Sequence, residues 1–121
     1  MKIQFEDGPE ALEWLRLNGH EAALASNRFP STSEAAAFVE HLYAIGAKRV
    51  FVPQDAIIAD EEEVVELGGP YSDSLVIELS DAGVSEELAA IYREEATLEG
   101  YDLSKEPLPI IEGRFLYLWW D

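Results

Sequence analysis

The strongest apolar pattern in the chain lies at its far end, Arg114-Phe115-Leu116-Tyr117-Leu118-Trp119-Trp120-Asp121. A run of large apolar and aromatic residues favours a pleated strand. Successive strand side chains point to opposite faces, so Phe115, Tyr117 and Trp119 face one way and Leu116, Leu118 and Trp120 the other. Fully burying one such side chain contributes roughly 1.5–3 kcal/mol, so neither set is cheaply left wet. The pattern predicts a strand covered on both sides, central or nearly central in its sheet.

Other segments carry helical spacing. Ala11, Leu12 and Leu15 form one stripe, with Trp14 beside it, and predict a helix over about 9–18. Asp7 and Glu10 have capping-box spacing, Pro9 fits a first turn, and Asn18-Gly19 gives a stop. Ala35, Phe38, Val39, Leu42 and Ile45 predict a second helix over about 32–45, capped by Ser31 and closed by Gly46. Leu88, Ile91, Tyr92 and Leu98 predict a third, capped by Ser85 and ended by Gly100. Residues 48–53 read as a strand ended by Pro53. Residues 73–79 alternate as a half-buried strand, with Leu75, Ile77 and Leu79 on one face. Residues 2–5 suit a short strand or arm. Residues 21–27 suit a strand better than a helix, since Arg28-Phe29-Pro30 ends them and a helix start follows. Residues 54–72 stay open between a strand extension with a hairpin and a helical turn.

From about residue 21 to 120 the order is strand, helix, strand, strand, helix, strand. This predicts an α+β two-layer sandwich of the ferredoxin-like βαββαβ kind, with an N-terminal strand and helix as an extension. In that fold one sheet face is open. The apolar groups on both sides of the last strand therefore call for a second cover, either residues 1–18 or the same face of another copy.

Composition narrows the picture. The length of 121 residues fits a single domain, 1–121, with a sizeable core. There is no cysteine, which removes disulfides and thiolate metal sites and points to a reducing cytoplasm. The first residues lack the apolar core of a signal peptide, and no apolar run reaches membrane-span length. Twenty-five acids against eight bases give a net charge of −17. Such a charge repels phosphate backbones and anionic lipid, so no nucleic acid held by direct phosphate contact and no membrane surface is expected as a partner.

Candidate chemistry is sparse. Asp60-Glu61-Glu62-Glu63 with Glu66 supplies oxygen ligands but lacks the ligand order and turn glycine of a calcium loop, and reads as a solvated face. His20 and His41 match no catalytic or metal motif. Gly68-Gly69-Pro70 resembles an anion-holding nest only superficially, because Glu66 and Asp73 flank it; it reads as a turn. Arg49 and Arg114 are placed to hold an acid of the same sheet. No catalytic, cofactor or metal residue is assigned. The leading expectation is a small acidic soluble protein acting as a protein-interaction module, with a basic protein partner and homodimer formation. The alternative is a small-molecule-sensing regulatory domain with a ligand near Gly46-Ala47 or Gly68-Gly69. A third reading is an enzyme, metal-assisted or acid–base, using the 60–66 acids with His41.

Overall fold

The computed structural model describes residues 7–100 and 107–120, so the expected strand or arm at 2–5 lies outside the described residues. The fold is α+β. In chain order the elements are α1 (Ala11–Arg16), α2 (Thr32–Ala44), β1 (Ala47–Phe51), a 3-10 turn (Gln54–Ala56), α3 (Glu61–Leu67), β2 (Ser74–Leu79), α4 (Glu86–Leu98) and β3 (Phe115–Trp119). Among the described residues the sheet has three strands in the order β1-β2-β3, both pairings antiparallel.

That order changes two expectations. Among the described strands β2 is central and the terminal strand β3 is outermost. β2 is also buried on both faces rather than on one. The ferredoxin-like βαββαβ order is not what the described strands form, because residues 21–27 make no strand. They contribute a single parallel bridge, Leu24 to Ser72. Ala25 sits at φ 43, a left-handed conformation that no strand continues through. Its carbonyl takes the N–H groups of Arg28 and Phe29 and so closes a turn. Ala23, Leu24 and Ala25 are nonetheless completely buried. The segment is an apolar plug, not a ladder.

The main core lies on one sheet face. Leu75, Ile77 and Leu79 of β2 meet Leu116, Leu118 and Trp120 there, under Ala11 and Leu15 of α1, Ala35, Val39 and Leu42 of α2, and Leu88 and Tyr92 of α4. Of the expected cover for the second face, residues 1–18, the helix α1 packs on the main core, while residues 1–6 lie outside the described residues. That face holds a small cluster of Phe51, Val76 and Phe115, with Ile111 and Tyr117 packed against it. The Arg49 guanidinium lies 4.2 Å from the Phe51 ring centre and that of Arg114 4.6 Å from the Phe115 ring centre. Each guanidinium packs over its aromatic face as a cation–π contact. Ile111 and Phe115 exchange backbone hydrogen bonds and close the turn that leads into β3.

Helix ends follow local chemistry where local chemistry is uncontested. Ser31 and Ser85 cap α2 and α4 by accepting the Glu34 and Leu88 N–H groups. Gly46 and Gly100 follow the two helices at positive φ. α1 is shorter than expected and starts differently. Its N-cap is Glu10, whose carboxylate takes the N–H groups of Leu12 and Glu13, while Asp7 is held by Arg49 at 2.6 Å.

Candidate interaction surface

Residues 54–70 leave the sheet, form α3 and return. α3 starts on Asp60, whose carboxylate takes the N–H groups of Glu62 and Glu63, and ends on Gly68 at φ 92. It buries none of its residues. Glu61, Glu62, Glu63 and Glu66 are all exposed, and so are Val65 (85%) and Leu67 (48%). The acids are therefore a solvated face and a helix cap. Among the described residues no group of three or more histidines and carboxylates is gathered to hold a metal ion.

The return of this excursion is fastened to the exit of α1. Asn18 Nδ2 donates to the Pro70 carbonyl at 2.9 Å, and Asn18 Oδ1 accepts the His20 N–H at 2.9 Å. Gly19 and Gly68 meet backbone to backbone; a Cβ on Gly68 would lie 2.6 Å from the Gly19 carbonyl oxygen. The Gly68-Gly69 turn is thus filled by the chain itself, leaving no anion nest. Beside Gly46-Ala47, Ser85 Oγ donates to the Ile45 carbonyl at 2.6 Å.

Fastening these two segments creates an open groove of about 400 Å³, lined by Pro9, Glu10, Glu13, Trp14, Leu17, Asn18 and Pro70. Glu10, Glu13, Trp14 and Leu17 recur at helical intervals, one stripe of α1. Leu17 is 80% exposed at the rim. Beneath it, Glu10 Oε2 accepts the Tyr43 hydroxyl at 2.8 Å, and Tyr43 in turn accepts the Val50 N–H at 3.0 Å. Burial pushes the Glu10 carboxyl up. The Leu12 and Glu13 N–H groups, the Tyr43 hydroxyl and Arg16 outweigh it and leave the carboxyl below its ordinary range. Burial first, then the adjacent Glu10 carboxylate, hold the Tyr43 phenol above its ordinary range against the Val50 backbone and Arg49.

Among the described residues the one deeply buried carboxylate is structural. Glu95 on α4 is only 2% exposed, and accepts from Arg28 Nε at 2.7 Å, Arg28 Nη2 at 3.0 Å and Trp120 Nε1 at 3.0 Å. Arg28 also lies over Phe29 at 4.7 Å. Three donors on one carboxylate tie the 28–29 turn, α4 and Trp120 together.

His41 is exposed on α2, and His20 Nδ1 accepts the Ala22 N–H at 2.9 Å as a turn lock. Arg49 does hold an acid of the same sheet, Glu78, at 3.2 Å, joined by Lys48 at 3.6 Å; Arg114 sits one strand further away, on the far side of β2. The sequence reading missed the groove. The α1 stripe was visible in the spacing of Glu10, Glu13, Trp14 and Leu17. The opposite wall was not, because Pro70 arrives from 52 residues away.

Comparison with protein-family models, with curated proteins and with solved structures finds no match. The functional reading therefore rests on the surface just described.

Proposed function

We propose that this chain is a protein-interaction module for a basic partner. The observation that carries the proposal is α3, a helix that buries nothing and shows Val65 and Leu67 to water among five acids of residues 60–66. A helix whose apolar groups find no core of their own is suited to an interface. The charge supports the sign of the partner. Between Arg49 and Arg93 there is no lysine or arginine, while eleven acids occur. A cytoplasmic setting, read from the absence of cysteine, belongs to the same proposal. No described helix is long and apolar enough to cross a membrane.

Homodimer formation stays part of the proposal, with the second sheet face, where Phe51, Val76 and Phe115 cluster, as the surface a second copy would share. The test is cross-linking capture by the native chain beside a Val65→Ser/Leu67→Ser variant. A basic protein retained by the first and lost by the second is the expected result. Identical capture by both removes α3 from the interface and the proposal with it.

A further inference from the structure

We infer that the groove beside α1 receives an amphipathic segment of the partner, with one apolar side chain seated between Trp14, Leu17 and Pro70 and a lysine or arginine beside it on Glu13. This rests on the interaction-module reading and gives the partner its chemistry.

The groove is preformed. One wall is the Glu10, Glu13, Trp14, Leu17 stripe of α1, and the other is Pro9 and Pro70. The walls are fixed by the hydrogen bond from Asn18 to the Pro70 carbonyl and by the glycine contact at 19 and 68. A rigid apolar floor lowers the ordering cost of binding. Trp14 is partly buried against the core, so its ring is anchored while Leu17 stands free at the rim. An aromatic held this way is the kind of residue that dominates binding energy.

Charge selects the occupant. Glu10 is already saturated by the Leu12 and Glu13 N–H groups and the Tyr43 hydroxyl. Glu13 is exposed beside it. The nearby cation, Arg16, is held by Glu40 at 2.8 Å. A lysine or arginine stem can lie along the Trp14 ring with its cation on Glu13. The acids of α3 precede Pro70 in the chain and add to the negative charge of the molecule. A second copy of this chain is a poor occupant. It brings the same charge of −17, and its Arg16, Arg28, Lys48 and Arg49 are already paired with its own acids.

The experiment titrates the isotope-labelled full chain with a short synthetic peptide carrying leucine and lysine at helical spacing, and follows amide and indole N–H resonances. Two matched peptides carry glutamate for lysine or serine for leucine. The expected result is shifts at the Trp14 indole and at amides 13–18 and 67–71, no response to the glutamate peptide, and affinity about tenfold weaker for the serine peptide and for Leu17→Ser. Leu17 and Glu13 are exposed, so Leu17→Ser and Glu13→Lys should keep the native amide spectrum elsewhere, and Glu13→Lys should also weaken binding. Unchanged affinity in Leu17→Ser, equal binding of the serine peptide, or shifts gathered at Trp119 and α4 would overturn the groove assignment and leave the interaction reading standing. No response to any peptide overturns both.

Discussion

At the scale of single residues, Glu95 and Glu10 carry distinct predictions. Glu95→Ala leaves Arg28 and the Trp120 N–H without their acceptor. Arg28 keeps 33% of its side chain in water, so the cost falls at about 2–3 kcal/mol rather than the ~3–5 kcal/mol of a fully enclosed pair. Urea unfolding should show a lower midpoint with an unchanged slope, and Glu95→Gln, which keeps one acceptor oxygen, should lose less. Glu10 predicts a pH dependence. Its carboxyl lies lower in the folded chain than its ordinary value of 4.5. A group depressed on folding contributes stability that is full above its unfolded value and is lost as pH falls through the folded one. Stability should therefore decline below about pH 4.5, and a Glu10→Gln variant, less stable at neutral pH, should close on the native chain over that window. Thermal unfolding of both chains across the range measures it. A gap that stays constant with pH would show that Glu10 acts through packing alone.

At the scale of elements, α3 and its C-cap should behave in opposite ways. Val65→Ser touches nothing buried and should change stability by less than about 0.5 kcal/mol. Gly68→Ala places a Cβ at φ 92 and 2.6 Å from the Gly19 carbonyl oxygen. It should cost more than the ~1–2 kcal/mol of the left-handed conformation alone, because backbone must move. Thermal or urea unfolding of the two variants separates them. The same elements show what the sequence made legible. The α2 and α4 starts were readable because Ser31 and Ser85 cap through bonds three residues long, with nothing distant competing. The start of α1 was misread because Arg49, from β1, claims Asp7 and leaves Glu10 to cap. Residues 21–27 were misread because alanines at 22, 23 and 25 bury as readily in a turn as in a strand. The two faces of β3 were assigned correctly, but among the described strands it is β2 that is central. On the second face Ile111 and two guanidinium groups pack on the aromatic cluster, contacts that alternation of apolar residues cannot show. Leu98, placed on the apolar side of α4, is exposed, while Glu95, outside that stripe, is buried against a partner 67 residues away.

For the molecule as a whole, the charge of −17 has two consequences of opposite sign, and salt separates them. Self-repulsion among the acids opposes the compact state, and screening weakens it, with the Debye length falling from about 30 Å at 0.01 M to about 8 Å at 0.15 M ionic strength. Arg16–Glu40 and Lys48–Glu78, whose cationic side chains are exposed, lose little when screened, since such pairs are worth under about 1 kcal/mol. The buried Arg28–Glu95 contact is screened least. Added salt should therefore raise the melting temperature of the free chain. Docking of a lysine-bearing segment on the α1 groove and α3 acids should weaken over the same range, as counter-charge attraction is screened. The apolar seat at Trp14 and Leu17 does not fade with salt, so binding should fall to a plateau rather than to nothing. Calorimetric unfolding and peptide titration over one salt series measure both slopes. A melting temperature that rises while binding is insensitive to salt would reduce the acids to a solubility coat. Binding that vanishes with no plateau would reduce the groove to a bystander of a diffuse field.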